Sequence, residues 1–310
     1  MPLHIETPIV ESRPLSLSSG RCILLKLDAL QPCGSFKIRG IGLACSTHRE
    51  RGAQRFISSS GGNAGLAVAY AGRMMSVPVT VVVPETATAR AKELLRQENA
   101  EVIVCGDSWQ EANDHALSLV GPSDAFIHPF DDPLLWRGHA TLINEVVKSG
   151  WVPDAIVLSV GGGGLLAGVA EGLRRHRWDR IPIIAVETDG AASFHAAMQA
   201  GEIVELSRIT SIATSLGAKR VCHKALEWTT VRPVQSLVVS DRSAIVACQR
   251  FLDDHRLLVE PACGASLAPL YERRPELERF ETVLVVVCGG VTTTFEHIRH
   301  WAVNEPIDFH

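Results

Sequence analysis

The sequence predicts an α/β protein with a mostly parallel sheet and a smaller domain inserted between two pieces of a larger one. Three observations predict it. Short β-branched runs alternate with helical stretches along most of the chain. Strands at Arg55 to Ser58 and Ala155 to Val160 run into glycine-rich turns that open helices. Seams fall near Gly34 and near Asp131-Asp132-Pro133. They assign residues 1–34 and 135–310 to the large domain and 35–134 to the small one.

The elements follow in order. Cys22 to Leu27 reads as a strand, and so does Arg55 to Ser58. Asn63 to Met75 is Ala-rich and helical, and Val79 to Val83 is a buried β-branched strand ended by Pro84. Ala87 to Glu98 is a helix, Glu101 to Val104 a strand, Trp109 to Val120 a helix and Ala125 to His128 a strand. Leu135 to Lys148 then reads as one helix. A second series has strands at Ala155–Val160, Ile183–Glu187, Gln235–Val239 and Thr282–Val287. Its helices are Leu165–Arg175, Ala191–Ala200, Ser243–Asp254 and Gly264–Tyr271.

Composition excludes several classes. At 310 residues with 46% hydrophobic content the chain can bury a sizeable core as two domains or one large α/β unit. A net charge of −4 gives no reason to expect nucleic acid or an anionic membrane as partner. Arg174-Arg175-His176-Arg177 reads as a solvated helix end. Met1 to Ser12 contains no apolar signal-peptide core, and no apolar run approaches the roughly 20 residues of a membrane span. A cytoplasmic location is the expectation. The eight cysteines form no C-x-x-C pair, which argues against structural zinc and for reduced core residues. The twelve histidines include no H-E-x-x-H.

Four stretches carry chemistry. Lys37, in Ser35-Phe36-Lys37-Ile38-Arg39-Gly40, is a candidate amine nucleophile, with Phe36 to shield it and Arg39 to oppose its protonation. The competing reading is a helix start with Lys37 and Arg39 exposed. Ser58 to Gly65 ends a strand and opens a helix, so backbone N–H groups and the Ser60 hydroxyl suit a carboxylate; a plain helix cap is the alternative. Gly161-Gly162-Gly163-Gly164 joins a strand to a helix, an arrangement that suits a phosphate or serves tight packing. It is not a P-loop, and it lacks the third glycine of a dinucleotide fingerprint, although Glu187 falls where a ribose-binding acid would sit. Finally, Val283 to Val287 delivers Cys288 to the carboxyl end of a strand, where open α/β sheets bind ligands. Amine, carboxylate loop and phosphate loop are the three parts that an enzyme using pyridoxal 5′-phosphate (PLP) on amino acids requires.

The chain resembles the L-serine dehydratase / L-threonine deaminase family. The resemblance rests on Ser35 to Gly40, Ser59 to Gly65, Phe130-Asp131-Asp132-Pro133-Leu134, the glycine run, Glu187-Thr188, Ser193 to Ala197, Leu258 to Ala265 and Val287 to Gly290, in that order. It implies a fold-type II PLP enzyme with two open, twisted, mostly parallel sheets and flanking helices. It implies elimination of water and ammonia from L-serine to give pyruvate, and from L-threonine to give 2-oxobutyrate. Cys288, where serine racemases and biosynthetic threonine deaminases carry serine, resembles the catabolic serine dehydratases. With only a short stretch after that strand, no isoleucine-sensitive regulatory domain is expected.

The resemblance also implies roles. Lys37 carries PLP as a Schiff base and later removes the substrate α-proton. Phe36 stacks on one ring face and Ser215 lies near the other. Asn63 contacts the ring hydroxyl, Cys288 meets the pyridine nitrogen, and Gly161, Gly162, Gly163, Gly164 and Leu165 hold the phosphate. Ser60, Gly61 and Asn63 take the substrate carboxylate. Glu187 and the carbonyls of Ala191, Leu216 and Ala218 match a monovalent-cation (K+) site, and a homodimer is expected. Gly61 stands where some relatives carry alanine, and Cys33 where serine is usual. The rival readings are a racemase, cysteine synthase or threonine synthase on the same fold, a weakly active or non-catalytic homologue, and a nicotinamide oxidoreductase.

Overall fold

The computed structural model describes residues 2–304. Its elements in chain order are β1 (Ile9–Glu11), α1 (Arg13–Ser19), β2 (Cys22–Lys26), α2 (Lys37–Glu50), β3 (Arg55–Ser58), α3 (Asn63–Met75), β4 (Val79–Val83), α4 (Ala89–Gln97), β5 (Glu101–Val104), α5 (Trp109–Ser118) and β6 (Asp124–Phe126). There follow α6 (Pro133–His139), α7 (Thr141–Lys148), β7 (Ala155–Ser159), α8 (Gly164–Arg175), β8 (Ile183–Thr188), α9 (Ser193–Ala200), α10 (His223–Val231), β9 (Val234–Val239), α11 (Asp241–His255), α12 (Pro261–Tyr271), β10 (Thr282–Val286) and α13 (Phe295–Asn304). Among the described residues, no helix is long and apolar enough to cross a membrane.

The smaller compact unit takes Gln31–His139 together with the N-terminal segment ending at Ile5. Its sheet runs β5-β4-β3-β6 with every pairing parallel. All five residues of β4 are buried, which is why this strand carries an unbroken β-branched run rather than an alternating one. Ala112 and Ala116 of α5 meet Ile57 and Val82, and Ile103, Leu119 and Phe126 close the cluster. A capping box between Ser108 and Glu111 starts α5. The sequence assigns residues 1–34 to the other domain. The N-terminal segment instead packs here, because Ile5 and Gln31 exchange two hydrogen bonds of 3.0 and 2.9 Å and Leu3 lies against Gly42.

The sequence reading offers helix α2 only as an alternative reading of its start, since Gly40 and Gly42 are poor helix formers. Both are packing residues. A methyl on Gly40 would meet the His139 ring and the Leu135 carbonyl at 2.7 Å. A methyl on Gly138 would meet the Arg39 carbonyl at 2.2 Å. Two glycines thus let α2 and α6 cross at backbone contact.

The larger unit takes Glu6–Leu30 and the described chain from Ala140. Its sheet runs β1-β2-β10-β7-β8-β9, parallel apart from the antiparallel edge strand β1. Every residue of β7, β8 and α12 is buried. Pro261 starts α12 at its first turn, where its missing N–H costs nothing. The single helix expected over 135–148 is two helices, broken at Ala140. The break falls where the chain leaves one unit for the other, and α6 packs on α2 while α7 packs on α8. Strand β1 and helices α1, α10 and α13 also go beyond the sequence reading.

The crossing of α2 and α6 has no spare volume. Gly138→Ala should lower stability by about 2 kcal/mol through overpacking. Chemical denaturation checks this, and an unchanged midpoint would contradict the close crossing.

Candidate active site

The expected site residues fall into two sets, one on each unit. On the smaller unit, Lys37 is the first residue of α2, directly after Phe36. Its Nζ donates to the carbonyl of Pro129 at 2.8 Å and lies 5.2 Å from the centre of the Phe36 ring. Arg39 is fully buried, so the solvent-exposed helix start is not what this stretch forms. Phe36 is backed by His139, with ring centres 4.9 Å apart. Burial first, then the charges of Lys37, Arg39 and His4, hold the His139 imidazole well below its ordinary pKa. A neutral ring is the result, and neither of its nitrogens has a hydrogen-bond partner.

The Ser58–Gly65 loop lies on the same unit. Helix α3 opens at Gly62 with no side-chain cap, which leaves its first N–H groups to another acceptor. Asn63 is the first residue of that helix and is buried. The Ser60 hydroxyl accepts from the Gly62 N–H at 3.3 Å. Ser59 anchors the loop from below by donating to Asn113 Oδ1 of α5 at 2.8 Å. Gly65 is obligatory, because a methyl there would overlap the Ser60 carbonyl. Cys33, in the turn before Lys37, is a buried thiol that burial pushes up to about 11 and that donates to the Ser35 carbonyl.

On the larger unit, the glycine run lies between β7 and α8. Gly163 is the N-cap of α8, at φ +88° and with no side-chain cap. A methyl on Gly163 would meet Ala225, Val221 and Cys222, and one on Gly161 would meet Leu216 and the Ser215 carbonyl. The Cys222 N–H donates to the Gly162 carbonyl at 3.0 Å. The run is thus a backbone surface with the N–H groups of Gly164 and Leu165 at its helical end, which fits a phosphate. It also brings Ser215 and Leu216 against Gly161.

Glu187, the last residue but one of β8, is fully buried. Its two carboxylate oxygens accept from the N–H groups of Phe194 and His195 at 2.8 and 2.7 Å, capping α9. A buried cap cannot serve as an exposed ribose ligand, which removes the structural basis for the nicotinamide reading. The following turn reaches Ala191, whose N–H donates to the Thr188 carbonyl. Thr188 bonds Ser211, and Ser211 in turn donates to Asp241. This chain of hydroxyls fixes the segment that continues to Ser215, Leu216 and Ala218. Cys288 follows β10 and is buried, with its thiol pushed well above its ordinary pKa.

A family model described as pyridoxal-phosphate dependent enzyme matches residues 1–289. The chain belongs to that family. It is 46% identical over 309 residues to the L-serine dehydratase/L-threonine deaminase of Homo sapiens, covering 96% of this chain and 94% of that one. It is 48% identical over 314 residues to a serine dehydratase-like protein of Mus musculus, covering 98% and 95%. The crystal structure of a fungal L-serine ammonia-lyase from Rhizomucor miehei superposes with a TM-score of 0.94 at 35% identity, covering 98% of this chain and 99% of that one. The two mainly parallel sheets are those of a fold-type II PLP enzyme. The glycine run suits the phosphate of the cofactor that the family implies, and Lys37 supplies an amine of the kind that would carry it.

His139, Asn113 and Asp241 go unassigned in the sequence reading. Gly138 inside an otherwise helical pattern is the one signal that points to His139. Asn113 and Asp241 leave no local signal, since each acts on a loop remote in sequence.

Two expectations follow. Burial pushes the Glu187 carboxyl up to about 8, against the pull of its two N–H donors. Folding therefore favours the protonated acid: its stabilisation is full below about pH 4.5 and is lost as the pH rises through about 8. With no cation bound at Glu187, wild type should lose stability relative to Glu187→Gln as pH rises from about 5 to about 8, read as paired melting temperatures in buffer free of K+. A methyl at Gly61 would lie 3.1 Å from Val83 Cγ1 and 3.7 Å from Ala87 Cβ, a fit that needs only a small shift of Val83. Gly61→Ala should therefore fold with a melting temperature close to that of wild type. Filling that space should change turnover and the serine/threonine ratio in steady-state kinetics.

Proposed function

We propose that this chain is a PLP-dependent L-serine/L-threonine dehydratase that releases ammonia and yields pyruvate or 2-oxobutyrate. The observation that carries this reading is the end-to-end match to proteins bearing the L-serine dehydratase/L-threonine deaminase name, in a chain that keeps Lys37 at the start of α2. Bound PLP supplies an electron sink that makes the Cα proton of an amino acid labile.

The protein's own residues supply the rest. N–H groups of Gly161 to Leu165 hold the phosphate with no side chain between them and the anion. Phe36 covers one face of the ring, and the neutral His139 behind it fixes its tilt. Ser60, Gly61 and Asn63 hold the substrate carboxylate, and Ser59 with Asn113 keeps that loop in place. The Lys37 amine takes the proton from Cα. The β-hydroxyl then leaves with a proton, and the product hydrolyses to keto acid and ammonia. Cys288 presents a neutral thiol to the ring nitrogen, too weak a partner to keep it protonated. With such a partner, bound PLP would take up less charge in its ring, which would favour elimination over transamination.

Glu187 with the carbonyls of Ala191, Leu216 and Ala218 forms the proposed K+ site. A cation there would hold Glu187 ionised and tie α9 to the loop that carries Ser215. The homodimeric state rests on the family resemblance.

The test mixes purified protein with L-serine or L-threonine, with and without PLP, and follows keto acid and ammonia while recording the visible spectrum. A yellow protein that forms pyruvate, and loses both colour and turnover in Lys37→Ala, is the expected result. A yellow protein that forms D-serine and no pyruvate would move the activity to racemisation. A protein that takes up no PLP would overturn the reading.

A further inference from the structure

The turn between β6 and α6 has no part in the mechanism above, yet its Pro129 carbonyl accepts from Lys37 Nζ at 2.8 Å. Pro129 is buried, and the residues that fix it belong to the smaller unit, as Lys37 does. Ahead of the turn, the Ile127 N–H donates to the Ile57 carbonyl at 2.9 Å. Behind it, Phe130 and Asp131 aim their N–H groups back onto Nδ1 of His128, at 3.2 and 2.8 Å. Trp136 Nε1 donates to the Phe130 carbonyl at 3.0 Å, which ties the turn to α6. The His128 ring stands edge-on to Phe130 and Phe126, with ring centres 4.8 and 6.4 Å away. One imidazole therefore folds the chain around Pro129.

A ring nitrogen that accepts from two N–H groups carries no proton of its own. The proton of the neutral ring is then on Nε2. Burial lowers the His128 pKa, and the Lys37 charge adds to this against the pull of Asp131 and Asp132. Arg39 of α2 and His139 of α6 are close by, with His4. The turn needs the neutral ring, because a proton on Nδ1 would face both donors. The carbonyl that the turn presents has a preference of its own. An amine donates to it in either state, but an ammonium donates more strongly, since that bond is charge-assisted. Pro129 thereby favours the protonated form of Lys37.

We infer that His128 is a positioning residue for Lys37: its Nδ1 folds the turn that aims the Pro129 carbonyl, and that carbonyl holds the amine whenever it is protonated and not joined to the cofactor. In the proposed reaction, this is the state of Lys37 after it has taken the proton from Cα. The carbonyl then strengthens the base and gives the new ammonium a fixed place. That consequence rests on the proposed function. The hold on the free amine does not.

The test uses the full-length protein, with PLP bound and after its removal. H128N puts a carbonyl oxygen where Nδ1 lies and drops the ring, whereas H128F keeps the ring and drops the acceptor. In the PLP-free protein, the Lys37 pKa is read by competitive acetylation over a pH series with peptide mass spectrometry. H128F should lower it by about one unit, and H128N should leave it unchanged. A packing role alone would lower the melting temperature of both variants and leave the Lys37 pKa where it is. The inference fails if H128F does not move that pKa, or if H128N moves it as far. If H128F does not fold, H128Q, whose oxygen reaches past the Nδ1 position, takes its place with the same expected shift. Nitrogen NMR of histidine-labelled wild type, assigned by the signals lost in H128N, should show His128 protonated on Nε2 alone; a proton on Nδ1 overturns the inference. With PLP bound, H128F should lower kcat about tenfold and change KM little, since the carboxylate loop is untouched. An unchanged kcat beside a shifted pKa would overturn the catalytic use alone. If the protein forms no keto acid, the PLP-free measurement still decides the hold on Lys37.

Discussion

The ammonium of Lys26 holds the larger unit's framework together. It is fully buried, and it donates to the carbonyl and hydroxyl of Thr7 at 2.5 and 2.7 Å and to Glu145 at 2.5 Å. The Thr7 hydroxyl donates in turn to Asp28, also fully buried. Thr7 follows the point where the chain enters this unit, Asp28 precedes the point where it leaves, and Glu145 follows its return. One charge on β2 therefore fixes all three chain passages. Removing one partner of a buried ion pair typically costs 3–5 kcal/mol, because the other charge is stranded. The sheet order, and with it the carboxyl ends of β7, β8 and β10, is built on this anchor.

From those ends the chemistry is delivered by backbone rather than by side chain. Parallel strands end where helices begin, so each crossover offers a helix N-terminus to an anion. The termini at Gly62 and at Gly163 are among those without side-chain caps. Others are capped by Ser12, Thr88, Ser108 and Ser240. At Glu187 it uses the same physics in reverse, supplying its own carboxylate to the start of α9.

Much of the fold was legible in local sequence. The β-branched run at Val79–Val83 and the largely apolar run at Ala155–Ser159 are strands because parallel strands are buried on both faces, and that burial removes the polar alternation. Helix α2 was legible only as an alternative reading of its start, because Gly40 gives up helix propensity for a close crossing with residues nearly a hundred positions away and Gly42 for contact with Leu3. The break at Ala140 was hidden for the same reason: α6 and α7 keep a helical pattern while packing on different helices.

Of the candidate site, the sequence by itself determined the parts that need a particular atom at a particular point along the chain. These are the amine at Lys37, the bare glycine turns at Gly61–Gly62 and Gly161–Gly164, and the thiol at Cys288. Each is bound to a local strand–turn–helix geometry, so neighbouring residues announce it. Only the tertiary structure decided how those parts are held. It buried Arg39, put the His139 ring behind Phe36, hung the Ser59 loop from Asn113, and capped α9 with the buried Glu187 carboxylate. Burial and charge at a site are sums over contacts from distant elements, and no window along the chain contains them.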